Sequence, residues 1–347
     1  MRASVVVVAA ALAAALSSGC GSTAYVARVG WAEAKVLLRR EPIPELLARP
    51  SLDPGLRTRL GLVLAARDFA RDTLGLAVGD SYASFATVDG DGQVWVLSAA
   101  RRDRLEPYTW WYPIVGRVPY RGFFDAASAR AAGAKLARRD LDVEVRTAAA
   151  FSTLGWFADP LLSSTVEEPP VSVVETVLHE LFHATLYRPG ETAFDESAAT
   201  FVGHRGAIAF FCAGPAAEPT RCAEARRRWD ATRERGHVLG RLATRLRRLY
   251  AAKPAPATRE RARTWLAEAA AAELVRRQAG RPSDLLPPNN ARLLGDLVYV
   301  TRLDAFERLA PTDGDVGPAV VALVDAVRGA SEPFRAVEAL ASRAEAR

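Results

Sequence analysis

Lysine is nearly absent from this chain: Lys35, Lys135 and Lys253 are the only three in 347 residues, and arginine carries the formal net charge of +6. Methionine occurs once, cysteine three times and histidine four times. Three cysteines without a CxxC spacing give no cysteine-built metal site and at most one disulfide. No apolar run after residue 16 is long enough to cross a bilayer as a helix. No segment repeats, and no long polar tract disturbs the globular balance of 50% hydrophobic and 25% charged residues. The arginines gather over 221–248 at helical spacing, without interleaved aromatics or a nucleic-acid module. Nucleic acid is therefore set aside. The stretch reads as a solvated helix face, with attraction to an anionic membrane surface as the sharper alternative.

What is present starts at the N-terminus. "MRASVVVVAAALAAALSSGC" has a positive charge at Arg2, an apolar run from Val5 to Leu16 and small residues before Cys20. That is a secretory signal over residues 1–19, ahead of a cysteine placed for lipidation. The remaining cysteines, Cys212 and Cys222, flank a Pro- and Gly-containing loop that an oxidising compartment would close as a disulfide.

Residues 20–347 read as one α+β domain. Its first part, 24–78, is helical, with a proline-punctuated connector. The next part, 79–165, contains β structure: "SYASFATVDGDGQVWVLSAA" alternates on either side of "DGDG", the turn chemistry of an antiparallel hairpin. Residues 166–347 are almost entirely helical.

Two of the four histidines stand four positions apart in "VVETVLHELFHATLY", residues 173–187. On a helix, positions i and i+4 share a face, so the imidazoles of His179 and His183 can reach one ion. Glu180 is turned about 100° from His179, where it can meet a metal-bound water without becoming a ligand. A catalytic zinc takes three protein ligands and keeps one position open. The next segment, "RPGETAFDESAATFVGHRGA", offers Glu191, Asp195, Glu196 and His204. With Thr192 as N-cap of a second helix, Glu196 lies near its start, and Ala199, Thr200 and Gly203 on the same stripe permit a close approach to the first helix. His204 is about 12 Å further along the axis, too far to share the ion. Asp195 points about 100° away from Glu196. Glu196 is the third ligand on this reading.

HExxH followed by a glutamate on the next helix resembles the gluzincin arrangement. "FDESAATF" is similar to that group's N-E-x-x-A segment, with Asp195 in place of asparagine. More narrowly, the chain resembles the family of bacterial lipoproteins described as predicted aminopeptidases. The similarity runs through "GCGSTAYVARVGWAEAKVLLRREPI", "YASFATV", "YPIVGRVPYRGFF", "FSTLGWFADPLLS", "HELFHATLY", "FDESAATFVG" and "PPNNARLLGDLVY". It implies a gluzincin-like peptidase domain with a small antiparallel sheet and a helical C-terminal half. It also implies one Zn2+ on His179, His183 and Glu196, Glu180 as general base, and a peptide or protein substrate. The cysteine context implies a lipid anchor at Cys20 on the periplasmic side of the outer membrane. Tyr120 or Arg121 in "VPYRGFF", or Tyr299, are candidates for the oxyanion donor. Asn289 and Asn290 are positioned to cap a helix. No Gly-x-Met-Glu-Asn string is present to hold a free α-ammonium, which leaves Glu191, Asp195 or Asp159 for that role. An envelope endopeptidase, or a non-catalytic lipoprotein with a structural metal, are the alternatives.

Overall fold

The computed structural model describes residues 38–87, 95–112, 116–123, 125–147, 159–213, 217–281, 287–310 and 316–345. Cys20, the signal segment and the helix expected over 24–37 lie outside these residues.

In chain order the first elements are β1 (Glu41–Pro42), α1 (Ile43–Leu47), α2 (Pro54–Asp72), β2 (Ser84–Ala86), β3 (Trp95–Arg101), β4 (Trp110–Tyr112), β5 (Gly116–Val118) and β6 (Tyr120–Phe123). There follow α3 (Ala126–Ala137), β7 (Leu141–Thr147), β8 (Leu161–Leu162), α4 (Ser163–Val166), α5 (Pro170–Thr185) and α6 (Thr192–Cys212). The chain then runs through α7 (Pro219–Ala251), α8 (Pro256–Arg276), α9 (Asn290–Val300), α10 (Leu303–Glu307), α11 (Val316–Val327) and α12 (Pro333–Glu345). The result is an α+β structure, mostly helical, with three small sheets among the described residues.

The described strands on either side of "DGDG", β2 and β3, do not pair with each other as the expected hairpin requires. β2 pairs antiparallel with β1 and parallel with β8, while β3 lies in another sheet between β6 and β7. Both edges of β3 are already taken, and β2 finds its partners from segments distant in the chain. The residues of the expected turn fall outside those described. The segment 24–78 likewise contains β1 among its helices.

The sheet β6-β3-β7 has two chemically different faces. Successive strand residues point to opposite sides. Leu97, Val143, Val145 and Phe123 therefore face α3, where Leu97, Leu136 and Leu141 are buried. Ser98, Tyr120 and Glu144 share a row on the other face, and Val96, Gly122 and Arg146 form the next row. That second face is covered by α9. Asn289 caps α9 by accepting from the Arg292 N–H at 3.0 Å, the role its position suggests. Asn290 N–H donates to Asp142 at 2.9 Å, which fixes α9 against β7.

The large core lies among the helices. α6 is buried nearly all round, from Phe194 to Phe211, as expected of a helix enclosed by others. α5 packs along it with Val174, Val177, Leu178, Leu181 and Phe182 buried. Pro170 starts α5, its fixed φ suited to a first turn. After α5 the chain turns through Gly190, at φ +89°. Thr192 is the first helical residue of α6 and Glu191 the N-cap, so the cap lies one residue earlier than the sequence suggests. Arg188 ties this turn to the C-terminal helices, its guanidinium donating to the carbonyls of Val327 and Ala330. Cys212 and Cys222 are joined by a disulfide between the ends of α6 and α7.

The contact between α5 and α6 requires small residues. A Cβ on Gly203 would lie 2.6 Å from the Glu175 carbonyl oxygen and 3.3 Å from His179 Cβ. A Cβ on Gly206 would meet the ends of movable side chains instead, Leu178 Cδ1 at 2.7 Å and Leu74 Cδ1 at 3.1 Å. Gly203→Ala is therefore expected to destabilise the protein by about 1–3 kcal/mol, and Gly206→Ala by less. Urea denaturation of both variants checks the order. Equal stability of Gly203→Ala and the parent would contradict it.

Candidate metal centre

α5 presents His179 and His183 one turn apart on the face that α6 approaches, and the first turn of α6 brings Glu196 to them. His183 Nε2 lies 3.1 Å from His179 Nε2. Glu196 Oε2 is 3.2 Å from His179 Nε2 and 3.7 Å from His183 Nε2. Among the described residues these three form the only group of three or more metal-binding side chains, their atoms all within 4.8 Å of one another. A tetrahedral zinc with bonds of ~2.0–2.1 Å would hold its ligand atoms ~3.3 Å apart. The spacing here fits that, and two imidazole nitrogens with one carboxylate oxygen is a donor set suited to zinc.

The charges agree with the geometry. Burial pushes the Glu196 carboxyl up, but hydrogen bonds to His179 and His183 outweigh it and hold the pKa down at about 2. His183 moves the other way: burial lowers its pKa, and Glu196 more than offsets this. Glu180 is raised, first by burial and then, against the two imidazoles, by Glu196 and Asp159. A buried carboxyl with a raised pKa beside two imidazoles is suited to accept and hand on a proton.

Tyr299, in the last turn of α9, stands with its ring 6.2 Å from that of His179. Burial and the neighbouring Glu196 keep its hydroxyl protonated well above neutral pH. Tyr120 is exposed on the edge strand β6, on the α9 side of the sheet, and bears electrostatically on Tyr299. Arg121 points to the other face, over the Phe123 ring at 5.5 Å, and so is directed away from the centre.

Of the three acids considered for an α-ammonium, Asp195 accepts from the Arg188 backbone N–H at 3.1 Å. Burial raises its pKa to about 6. Glu191 caps α6. Asp159 is buried, and its carbonyl receives the Tyr82 N–H at 2.7 Å. Its charge, with that of Glu180, bears on the Tyr82 hydroxyl, whose pKa burial has already raised.

Sequence reasoning missed Tyr82 and Arg146. Tyr82 is a buried non-glycine residue at φ +58°, a conformation that costs of order 1 kcal/mol and concentrates at functional sites. Nothing in its spacing announced this. Arg146 lies over the Tyr299 ring at 5.8 Å. The alternation of Asp142, Glu144 and Arg146 along β7 was a readable sign of a polar face.

The other two histidines do not join the centre. His237 pairs with Asp304 at 2.6 Å. His204 contacts Glu175 at 2.8 Å, behind the site. Glu175 precedes His179 by one turn and is also gripped by Arg228 at 2.6 and 3.0 Å. Burial opposes the charged form of Glu175, but His204 and Arg228 overcome it and depress the pKa to about 2.

A family model described as "Putative aminopeptidase" matches residues 24–336. No curated protein and no solved structure shows a significant match.

The Glu175 carboxyl has a lower pKa folded, about 2, than the ~4.3 of an unfolded chain. Its stabilisation is therefore complete above the unfolded value and is lost as pH falls towards 2. Between pH 6 and 3 the metal-free protein should lose about 2 kcal/mol more in urea denaturation than Glu175→Gln loses. Parallel losses in the two proteins would contradict this.

Proposed function

The chain belongs to the family described as "Putative aminopeptidase", and from that premise we propose that it is a zinc-dependent aminopeptidase of gluzincin type. The single observation that carries the reading is the convergence of His179, His183 and Glu196, each side chain partly open to solvent. When bound, zinc supplies a Lewis acid and lowers the pKa of a water in its open position towards 7.

The remaining chemistry belongs to the chain's own side chains. Glu180 takes the proton of the attacking water and returns it to the leaving amine, and its raised pKa supports that role. The Tyr299 hydroxyl, protonated throughout the working range, donates to the oxyanion that develops on the scissile carbonyl. Tyr120 is the second donor from the sheet side. Asp159, the acid beside Glu180, is suited to the free α-ammonium of the substrate. An endopeptidase would make no use of that last group. In this reading the chain is exported, loses residues 1–19 and is held on the periplasmic side of the outer membrane by a lipid on Cys20. That part rests on the sequence alone.

Glu180→Gln should bind about one zinc, as the parent does, and hydrolyse peptides about 10³-fold more slowly. Cleavage by Glu180→Gln at the parent's rate would overturn the assignment. Tyr299→Phe should lower kcat about 10²-fold with little change in KM, measured on the same substrate. A peptide library with free and acetylated N-termini tests the exopeptidase part: acetylated members should survive, and internal cuts in them would point to an endopeptidase.

A further inference from the structure

The polar face of the sheet β6-β3-β7 gathers several arginines, and one of them is only loosely held. β7 places Glu144 and Arg146 opposite α9, which contributes Arg292 and Asp296, and α7 adds Arg235. Three guanidiniums and two carboxylates meet there. Asp296 is engaged chiefly by Arg235, at 2.7 Å with both side chains buried, and Arg292 lies 3.9 Å away. Arg146 is left at 3.7 Å from Asp296. Among the described residues its guanidinium makes no hydrogen bond, and it lies over the face of Tyr299. It is also the most exposed of the three, with 36% of its side chain open to solvent.

Its position gives that spare capacity a direction. The Tyr299 ring neighbours both groups, its centroid 5.8 Å from the guanidinium and 6.2 Å from that of the His179 ring, so the guanidinium and the imidazole lie no more than about 12 Å apart. An extended peptide of no more than three to four residues, at ~3.3 Å each, would cover that span. A guanidinium offers a planar fork of donors that matches a carboxylate, and here no partner occupies that fork at hydrogen-bond distance.

Building on the peptidase reading, we propose that Arg146 is a specificity-determining residue. It receives a carboxylate of the substrate, either the C-terminal carboxylate of a short peptide or an acidic side chain two to three residues from the scissile bond. Tyr299 then has two roles, donating from its hydroxyl and supporting the guanidinium on its ring.

The test uses two pairs of short peptides with the same scissile bond. One pair differs in a free or amidated C-terminus, the other in aspartate or asparagine at the third residue, with a free N-terminus and an amidated C-terminus in both members. Binding to zinc-loaded Glu180→Gln is followed by calorimetry, and hydrolysis by the parent gives kcat and KM. At least one carboxylate peptide should bind about tenfold or more tightly than its neutral partner, with the preference carried by KM. The pair that shows it identifies the source of the carboxylate. In Glu180→Gln/Arg146→Ala the ratio should fall to about one, and Glu180→Gln/Arg146→Lys should recover part of it. Circular dichroism melts of both double variants separate this from misfolding, and the lysine variant carries the test if the alanine variant does not fold. Equal binding within both pairs, or a preference that survives both substitutions, would overturn the proposal. Absence of hydrolysis by the parent would sink the peptidase reading instead, while the binding ratios would still decide the role of Arg146.

Discussion

Close approach of α5 and α6 is the constraint on which the rest of the structure depends. The imidazoles of His179 and His183 leave one helix, and the carboxylate of Glu196 can reach them only if the second helix lies almost against the first. Gly203 meets that demand by placing no Cβ where the Glu175 carbonyl stands. The same contact sets His179 Cβ hard against α6, so packing density and ligand geometry are one arrangement. A cluster of three lone-pair donors without a shared cation or proton is costly in a half-buried site. The depressed pKa of Glu196 and the raised pKa of His183 show the metal-free chain filling that need with a proton.

Behind and beside this centre the protein uses arginine where many chains would use lysine. Arg228 and His204 hold Glu175 at the back of α5, and Arg235 holds Asp296 on α9. Each pairing joins two helices and orients a helix that carries a site residue. The planar guanidinium suits buried bidentate pairing better than an ammonium does. The arginine-rich stretch expected to be a solvated face is therefore divided. Arg228, Arg233 and Arg235 reach inward to carboxylates, while Arg245, Arg247 and Arg248 are exposed.

The helical features were legible because their signals are local. Four-residue spacing puts His179 and His183 on one face whatever surrounds them, and the small residues after Glu196 forecast a close helix contact. The proximity of Cys212 and Cys222 and the Asn289 cap follow from short stretches of chain in the same way. The sheet was not legible. "DGDG" is good hairpin chemistry, but a turn signal cannot report that β3 is flanked by β6 and β7, or that β2 joins strands some forty and seventy-five residues away. Tyr82 and Arg146 escaped for the same reason, and Asp159 could be named beside Glu191 and Asp195 but not singled out. Tyr82, Arg146 and Asp159 come from three separate segments, and only tertiary packing sets them around Glu180 and Tyr299.

The most direct measurement is zinc K-edge X-ray absorption on the purified, zinc-loaded protein in solution. The account predicts a four-coordinate site with two imidazole nitrogens and the remaining shell from oxygen, at ~2.0–2.1 Å. In Glu196→Ala the two imidazoles should persist while the carboxylate contribution is lost. A sulfur neighbour, or a shell without imidazole, would contradict the account.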